Sequence, residues 1–535
     1  MQLITLVLAL AGAGLAQINV PGSIPQNPVE PLQHHVAYAG VNGMTVSWHT
    51  YAEIDDPTVF YGTDIWNLSN TAVGESVTFA TSQTWANHVK LTGLEPDTTY
   101  YYFVSNTNCG NCSELHPYTF TTARNAGDMT PYTIAVVIDL GVMGEDGLST
   151  TSLGPIAPGE TTTIQSLARY IDGYDFLWHP GDIAYADYWL KEQVQDYLDP
   201  VPLEDGYKVY NRLLNTYYDQ MQPVTAEKPY MVGPGNHEAN CDNGGTSDKK
   251  KNITYTESLC LKGQTNFTGY TNHFRMPSYE SNGVGSFWYS WDNGMVHYVQ
   301  IDTETDLGHN LIGPDELGGS NDDSDGPFGL KNQQIEWLDK DLAAVDRTKT
   351  PWVIVSGHRP WYAAQSGDNL CTNCQEAFEP ILLKHNVDLV LNGHIHFYER
   401  NTPIGANGVP DPNGLNNPSA PWYILNGAGG HYDGLDVYDD VLPDYAEYVQ
   451  DTVYGWSKLT FHNCTHLTHE FVASANGTIL DSATLIKHRT CAAPSNYSMT
   501  SNSTLPIVDE NAGVSLRSSY ASLVGVAIVA LFTLV

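Results

Sequence analysis

The sequence predicts an α/β domain preceded by an all-β module. Between about residues 31 and 124, apolar and polar residues alternate, as in Met44-Thr45-Val46-Ser47-Trp48, and a period of two is typical of half-buried strands. From about residue 131, short apolar runs are separated by helical or loop segments, which indicates α/β architecture. A chain of 535 residues is also too long for one ordinary core, so two or three domains are expected.

Part of the all-β module resembles a fibronectin type III domain. Residues 58–61 form a second β-branched and aromatic run, and residues 91–100 lead through a turn to a tyrosine-rich strand. In the fibronectin-type sandwich, a tyrosine near a strand corner bonds back to nearby backbone. We expect the module to support the rest of the chain. Carbohydrate binding by an aromatic-rich sandwich is an alternative that the pattern leaves open.

Five apolar runs in the second region are short enough to be buried strands. They cover residues 134–138, 176–178, 230–232, 352–355 and 387–391. Between them, Ile335, Leu338, Leu342 and Val345 recur at helical spacing, which predicts a helix with one buried face. Each run is followed by a polar motif, and open α/β sheets place their ligand sites at the carboxyl ends of strands. We therefore expect the five motifs to converge.

The five motifs carry side chains that bind metal ions. They read Asp139-Leu140-Gly141, Gly181-Asp182-Ile183-Ala184-Tyr185, Gly235-Asn236-His237-Glu238, Gly357-His358 and Gly393-His394-Ile395-His396. Carboxylate and phenolate oxygens suit a hard trivalent ion such as iron(III), whereas imidazole and amide ligands suit divalent zinc, manganese or iron. An isolated aspartate after a strand is most often a cap, and a lone histidine is most often structural. Together, however, the motifs favour two adjacent metal ions, which can clamp a phosphate ester during hydrolysis.

In this order and behind a fibronectin-like domain, the motifs resemble those of the purple acid phosphatases of the calcineurin-like metallophosphoesterase superfamily, in their secreted fungal form. The resemblance covers roughly residues 31–491, and the tyrosine of the second motif is its most diagnostic residue. It implies an α/β metallophosphoesterase sandwich over residues 131–491, with two mixed sheets flanked by helices, preceded by an all-β fibronectin type III-like domain over residues 31–124. It implies iron(III) ligands at Asp139, Asp182, Tyr185 and His396, and ligands of the divalent ion (zinc, manganese or iron) at Asp182, Asn236, His358 and His394.

The activity implied by this resemblance is that of an acid phosphatase, which hydrolyses phosphate monoesters by in-line attack of a metal-bound hydroxide. His237 resembles the family's catalytic histidine, which contacts phosphate and can protonate the leaving oxygen, but it could instead only orient its loop. The same metals could serve a phosphodiesterase or nucleotide pyrophosphatase, and a phytase would be a substrate variant. A wall-anchored binding protein with a decayed catalytic domain is a further alternative, which the complete ligand set disfavours.

Two departures from the family pattern concern the site. The first motif usually has glycine before its aspartate, whereas this chain has Ile138, so we expect an altered loop with Asp139 still available. Plant enzymes that the chain resembles have further histidines shortly after the motif corresponding to Gly357-His358. Here, Ala363, Ala364 and Gln365 follow the motif, and no histidine occurs before His385. The groups around the substrate must therefore differ.

Several features predict export from the cytosol. The apolar residues 1–16 resemble a signal peptide, although a basic start is missing and a buried first strand is the alternative. Candidate glycosylation sites are Asn67, Asn111, Asn252, Asn266, Asn463, Asn476, Asn496 and Asn502. The eight cysteines suit disulfides. The simplest pairings by proximity are Cys109 with Cys112, Cys241 with Cys260, Cys371 with Cys374, and Cys464 with Cys491; a zinc site formed by the two Cys-x-x-Cys pairs is the rival interpretation.

The C-terminal residues resemble a lipid-attachment signal. Residues 495–510 are polar and predict a disordered stalk. In residues 511–535, small residues at the start, a polar spacer and an apolar end resemble a glycosylphosphatidylinositol signal with Asn511 as the acceptor. The apolar stretch 523–535 is shorter than the roughly 20 residues of a membrane-spanning helix, and a frayed hydrophobic tail is the alternative. Use of the signal would anchor the protein at the cell surface or wall.

The charge of the chain restricts its partners. A formal net charge of -37 at pH 7 repels polyphosphate backbones, so we expect no nucleic acid partner. The same charge opposes phosphate substrates in general. Small phosphate esters would therefore need a strong local positive charge, which two metal ions would supply.

Overall fold

The first eight strands of the computed structural model form a β-sandwich. The structure describes residues 27–105, 117–143, 159–194, 198–239, 247–248, 253–254, 267–304, 332–367, 369–430 and 434–491. One sheet contains, in order, β1 (Leu32–Tyr38), β2 (Gly43–Thr50), β6 (Trp85–Thr92) and β5 (Glu75–Val77). The other contains β4 (Asn70–Val73), β3 (Thr58–Gly62), β7 (Thr99–Ser105) and β8 (Tyr118–Thr121). Neighbouring strands are antiparallel, so the predicted all-β module is confirmed.

The expected tyrosine contact occurs near the start of β7. The hydroxyl of Tyr100 accepts a hydrogen bond from the backbone N–H of Glu95 at 3.0 Å. The ring of Tyr100 also stacks on Phe120 of β8, with 5.7 Å between ring centroids. This side chain therefore fixes the corner through both backbone bonding and packing, as the resemblance implied.

The polar face of β2 is not exposed. Apolar and polar residues alternate along β2, as expected of a strand, but all eight of its residues are buried. Ser47 bonds to His88 at 2.8 Å, and His88 lies 2.8 Å from the backbone oxygen of Asn272. His49 lies 2.6 Å from His273, which also belongs to the α/β region. A period of two shows which residues share a face, but not whether another part of the chain covers that face.

The rest of the chain contains helices between the strands of two mixed sheets. The helices are α1 (Thr163–Arg169), α2 (Trp189–Val194), α3 (Gly206–Thr225), α4 (Asn236–Ala239), α5 (Thr268–His273), α6 (Gln333–Ala344) and α7 (Thr372–Lys384). Leu338 and Leu342 of α6 are buried, which confirms its apolar face. Ile335 is only half-buried, and Val345 lies just beyond the last helical residue, where it also packs against the core.

The first mixed sheet contains β11 (Tyr230–Gly233), β10 (Leu177–Pro180), β9 (Tyr132–Val136), β22 (Gly455–Asn463), β23 (His466–Ala473) and β24 (Ile479–Ile486), in that order. Its first three strands are parallel and the rest of its pairings are antiparallel. A separate short ladder pairs β12 (Ser247–Asp248) with β13 (Ile253–Thr254).

The second mixed sheet contains β14 (Tyr289–Asn293), β15 (Val296–Gln300), β16 (Trp352–Ser356), β17 (Leu389–Asn392), β20 (Trp422–Asn426), β18 (Tyr398–Gly405) and β19 (Val409–Pro410). An additional strand, β21 (Ala446–Gln450), pairs with β18. β15, β16, β17 and β20 are parallel to one another. The five apolar runs predicted as strands correspond, with small shifts at their ends, to β9, β10, β11, β16 and β17.

Buried aromatic side chains join the two mixed sheets. The indole N–H of Trp178 in β10 donates to Gln300 Oε1 in β15 at 2.8 Å. Tyr298 packs edge-on against Trp178 and stacks on Trp291, with centroid distances of 5.6 and 5.0 Å. These contacts belong to one continuous apolar core, which confirms the predicted architecture of two mixed sheets.

Two of the predicted disulfides lie in the described part of the chain. Cys371 bonds to Cys374 at the start of α7, and Cys464 bonds to Cys491. The first bond is incompatible with Cys371 and Cys374 as zinc ligands. Cys109, Cys112, Cys241 and Cys260 lie outside the described residues.

Three candidate glycosylation sites can be placed. Asn67, Asn463 and Asn476 are all exposed. The other acceptors (Asn111, Asn252, Asn266, Asn496 and Asn502), the predicted signal peptide, the stalk and the attachment signal with Asn511 lie outside the described residues.

Within the described ranges, the structure contains no helix with both the length and the apolar character needed to cross a membrane.

Candidate metal centre

The loops after five strands bring the predicted ligands together. The five residues that lie two or three positions after the ends of β9, β10, β11, β16 and β17 are, respectively, Asp139, Asp182, Asn236, His358 and His394. Backbone hydrogen bonds join these loops: the N–H of Asp139 donates to Gly181, and the N–H of Gly393 donates to His358. The expected convergence at the carboxyl ends of the strands is therefore present in the structure.

The first group of donor atoms surrounds the hydroxyl of Tyr185. This oxygen lies 2.8 Å from Asp139 Oδ1, 3.0 Å from Asp182 Oδ2 and 3.0 Å from His396 Nε2. Asp139, Asp182 and His396 place one donor atom each within 4.8 Å of the others. These four side chains are the ones that the resemblance implied for iron(III).

The second group of donor atoms surrounds the carbonyl oxygen of the Asn236 side chain. His394 Nδ1 lies 2.8 Å from this oxygen and His358 Nε2 lies 3.0 Å from it. His358 Nε2 is also 3.1 Å from Asp182 Oδ2. The donors of Asp182, His358 and His394 again lie within 4.8 Å of one another. Asp182 thus belongs to both groups, as a bridging carboxylate would.

Several of these residues have an unusual backbone conformation. Asp139, Asp182, Tyr185 and His394 have positive φ angles of 59°, 52°, 51° and 70°. The left-handed region is uncommon for residues other than glycine and clusters at functional sites, where the surrounding fold holds it in place. The backbone conformation of these loops therefore directs the donor side chains towards one another.

Close backbone approach explains why glycines precede some of the donors. A Cβ added to Gly235 would lie 2.2 Å from Asp182 Oδ1, and one added to Gly393 would lie 2.3 Å from Asp139 Oδ2. The side chain of Ile138 lies equally close to Gly393. The unusual Ile138 thus packs against this glycine, and Asp139 remains directed into the donor group.

Burial and neighbouring charges act in opposite directions on the donors. Burial, with Asp139 and Asp182 nearby, raises the pKa of Tyr185 well above its usual range. Burial alone would raise the pKa of Asp182 as well, but His358 and His237 hold it well below its usual range. The carboxylate of Asp182 is therefore ionised, whereas the phenol of Tyr185 needs an additional cation to lose its proton.

His237 lies beside the donor groups. Its Nδ1 is 2.7 Å from Asp187 Oδ2, and its Nε2 is 3.9 Å from Asp182 Oδ2. The rings of Tyr185 and Tyr188 pack against its imidazole, with centroid distances of 4.3 and 4.6 Å. The ring is therefore held with Nδ1 bonded to the buried carboxylate of Asp187 and with Nε2 directed towards the donor groups.

Asp187 and Glu238 contact the candidate site, and the sequence analysis did not identify them as site residues. Glu238 accepts backbone N–H bonds from Asp182, Ile183 and Gly235 at 2.8–2.9 Å, and so joins the second and third motifs. Burial, reinforced by Asp182, raises the pKa of Glu238 to about 8. Glu238 lies within the third motif and Asp187 lies two residues after the second. This proximity to the motifs is the signal by which the sequence could have identified them.

Arg359 is a third such residue. Its Nη1 lies 3.0 Å from His394 Nε2, on the side of the imidazole away from Asn236. Its Nε donates to both carboxylate oxygens of Glu304 at 2.9 Å. This buried ion pair fixes the guanidinium of Arg359 next to His394, one of the candidate ligands.

The chain segment that lacks the plant-type histidines packs into a small apolar cluster. Ala363 and Ala364 are buried with Ile395, Phe397 and Leu425. The expectation that the groups around the substrate differ from those of the plant enzymes stays a prediction.

Family models match most of the chain. Residues 31–122 match the model described as the purple acid phosphatase N-terminal domain, and residues 127–398 match that of the calcineurin-like phosphoesterases. Residues 420–482 match the model of the iron/zinc purple acid phosphatase-like protein C.

Similar proteins also cover nearly the whole chain. Acid phosphatase A of Cryphonectria parasitica is 39% identical over 512 residues, which are 90% of this chain and 96% of that protein. The acid phosphatase of Aspergillus ficuum is 34% identical, covering 81% of this chain and 82% of its own length. The structure of a purple acid phosphatase from yellow lupin (Lupinus luteus) seeds is similar in fold, with a TM-score of 0.65, 22% identity, and coverage of 86% of this chain and 75% of that one.

Proposed function

Since the chain belongs to the purple acid phosphatase family, and is accordingly a phosphatase, we propose that it hydrolyses phosphate monoesters at a centre of two metal ions. The single observation that carries this proposal is the position of Asp182. Its carboxylate belongs to two groups of donors, buried except for the partly exposed His396, and each group contains oxygen and imidazole nitrogen ligands. Two adjacent cations that share a bridging carboxylate are the arrangement suited to in-line attack on phosphorus.

Without a cation, the donor atoms neither satisfy one another's hydrogen bonding nor avoid electrostatic repulsion. The hydroxyl of Tyr185 faces oxygens of both Asp139 and Asp182, yet one O–H can donate only one full hydrogen bond. Buried carboxylates this close also repel one another. A cation among these oxygens would remove both conflicts.

The two groups favour different ions. Two carboxylates, a phenol and one imidazole suit a hard trivalent ion, so Asp139, Asp182, Tyr185 and His396 would hold iron(III). Asp182, with Asn236, His358 and His394, offers two imidazoles and a neutral amide oxygen, which suit divalent zinc, manganese or iron. When bound, the two cations would supply Lewis acidity that polarises the ester and acidifies a water molecule.

His237 is the residue that we assign to proton transfer. Because Nδ1 is engaged by Asp187, the proton that can be donated to a leaving oxygen is the one on Nε2. This nitrogen faces the donor groups, where the ester would lie. The packing of Tyr185 and Tyr188 against the ring limits its rotation and keeps Nε2 in that direction.

The described residues also support an extracellular location. Disulfides persist in oxidising compartments, and the structure contains Cys371–Cys374 and Cys464–Cys491. The acceptors Asn67, Asn463 and Asn476 are exposed, as glycan attachment requires. We infer that the protein is secreted.

Metal analysis combined with a substrate panel tests the function. The purified protein should contain two metal ions per chain and hydrolyse aryl and alkyl phosphate monoesters faster than diesters. Asp182→Asn should lower metal content and reduce kcat by about 1000-fold, because it weakens both sites. Asp172→Asn, at an exposed position, is the matched control. Full activity of the Asp182 variant, or of a metal-free preparation, would overturn the proposal.

A further inference from the structure

Solvent reaches the candidate metal centre at His396. The side chain of His396 is 14% exposed, whereas those of Asp139 and His358 are fully buried and that of Asp182 is 1% exposed. His396 is thus the most exposed of the candidate ligands, and a substrate that approaches the donor groups from this side lies next to it. The residues next to this histidine can act on the part of the substrate that remains outside.

One loop, residues 434–445, follows this opening, and we call it the entrance loop. Its Asp436 forms two bonds with His396: the backbone N–H of His396 donates to Asp436 Oδ2, and the N–H of Asp436 donates to the oxygen of His396, both at 2.9 Å. The loop is therefore fixed directly beside the most exposed candidate ligand.

The entrance loop is also bonded to the segment that lacks the plant-type histidines. The N–H of Asp439 donates to Ala364, and the N–H of Ser366 donates to Asp439 Oδ2, both at 2.9 Å. The side-chain amide of Gln365 donates to the backbone oxygen of Val437 at 2.9 Å. The segment and the entrance loop thus form one continuous wall beside His396.

The charged side chains that residues 434–450 contribute to this wall are all acidic. Residues 434–450 contain five carboxylates and no lysine or arginine; the carboxylates are Asp436, Asp439, Asp440, Asp444 and Glu447. Large apolar side chains alternate with them at the surface, since Val437 is 73% and Val441 is 83% exposed. The guanidinium of Arg359 is buried and paired with Glu304, and that of Arg400, on the strand next to β21, is paired with Asp481.

An acidic wall acts differently on the phosphate that reacts and on the leaving group of the same substrate. Metal ions would attract the phosphate that reacts, whereas the carboxylates repel any further negative charge on the leaving group. Charges are screened over about 8–10 Å at physiological ionic strength, and acidic side chains within that range of a bound leaving group act on it strongly. Clefts lined by one sign of charge change local substrate concentration by 10-fold or more, roughly.

We propose that the entrance loop restricts this phosphatase to monoesters whose leaving group carries no further negative charge, and that it rejects polyphosphorylated compounds. This inference rests on the proposed function. The carboxylates act as a repulsive element against the wrong substrate, and the exposed valines offer contact to an apolar leaving group. A phytase-type activity is thereby disfavoured.

Two substrates and two ionic strengths test the proposal. The wild-type protein should show a kcat/KM for inositol hexakisphosphate at least about 100-fold below that for p-nitrophenyl phosphate at about 20 mM salt, and added salt should narrow the gap. The double variant Asp440→Lys/Asp444→Lys should raise kcat/KM roughly tenfold for the hexakisphosphate and about twofold for the aryl ester. Both carboxylates are exposed, so folding should be unaffected.

The matched control is Glu53→Lys/Asp55→Lys, which makes the same charge change at exposed positions of the β-sandwich. It should leave the ratio of the two kcat/KM values unchanged. An equal ratio in both double variants, or a wild-type protein that hydrolyses both compounds equally well, would overturn the role of the entrance loop while leaving the phosphatase intact. Failure to hydrolyse even the aryl ester would instead overturn the proposed function.

Discussion

The hydroxyl of Tyr185 lies 3.0 Å from Oδ2 of Asp182, a residue three positions earlier in the same loop. Both residues have positive φ angles, of 51° and 52°, and this turn is what allows side chains so near in sequence to meet. Burial and the two adjacent carboxylates raise the pKa of the phenol. Ionisation of Tyr185 at neutral or acidic pH would therefore report the presence of a strongly acidic cation.

Tyr185→Phe tests this relationship. We expect the wild-type protein to absorb visible light through a tyrosinate-to-iron(III) transition, and the variant to lose that absorption because the phenol oxygen is gone. Tyr188→Phe is the matched control, since Tyr188 packs on the same His237 ring. Absorption spectra and iron analysis on the same samples provide the measurement. A fully active wild-type preparation that is colourless and free of iron would show the metal assignment to be wrong.

Asp187→Asn tests how His237 is held. Loss of the carboxylate at Nδ1 should lower kcat by about 10–100-fold for alkyl phosphates, because protonation of the leaving oxygen becomes less efficient. The effect should be smaller for p-nitrophenyl phosphate, whose leaving group needs little protonation, and KM and metal content should change little. Equal losses for alkyl and aryl esters would argue for a purely structural role of Asp187.

Gly235→Ala tests the close approach beneath Asp182. The added Cβ would lie 2.2 Å from Asp182 Oδ1 and 2.5 Å from its backbone nitrogen, so the bridging carboxylate must move. We expect metal content and kcat to fall at least tenfold, roughly, with the fold preserved, since ligand geometry tolerates little displacement. Gly173→Ala is the matched control because nothing lies within 4 Å of its added Cβ. Normal metal binding by Gly235→Ala would contradict the geometry.

The convergence of the candidate ligands was predictable from sequence because each of them lies within five residues after the end of a strand. Residues such as Asp139 and His358 occur in short motifs, which can be recognised without knowing which distant residues they contact. The contacts of Asp187, Arg359 and the entrance loop were not predictable, because their partners lie far away in sequence. Arg359, for example, depends on Glu304 and on His394, and only the fold brings the three together.

The burial of β2 shows the same limit for the fold. Its alternating pattern was recognised correctly as a strand, but the covering of its polar face depends on His273 and Asn272 of the α/β region. Such contacts join two parts of the chain that each have their own local pattern. Sequence periodicity predicts the elements, whereas their mutual packing must be observed.

His297 provides a prediction about stability that is independent of the metal centre. Its ring links β15 to Asp292 of β14 at 2.7 Å and to Asp341 of α6 at 2.9 Å. Burial alone would lower the pKa of His297, but the hydrogen bonds to these carboxylates raise it to about 9. Because the folded-state pKa exceeds the unfolded value of about 6.5, the charged histidine stabilises the fold fully below pH 6.5. That contribution is lost as the pH rises through about 9.

His297→Gln should therefore cost more stability in acid than in alkali. We expect the difference in free energy of unfolding between wild type and variant to shrink by about 3 kcal/mol between about pH 6 and pH 10, at 1.4 kcal/mol per pKa unit. Denaturant unfolding of both proteins at the two pH values measures it, and the comparison cancels the titration of distant groups. His462→Gln, at an exposed position, is the matched control. A penalty for His297→Gln that is the same at both pH values would mean that the histidine is not charged in the folded protein.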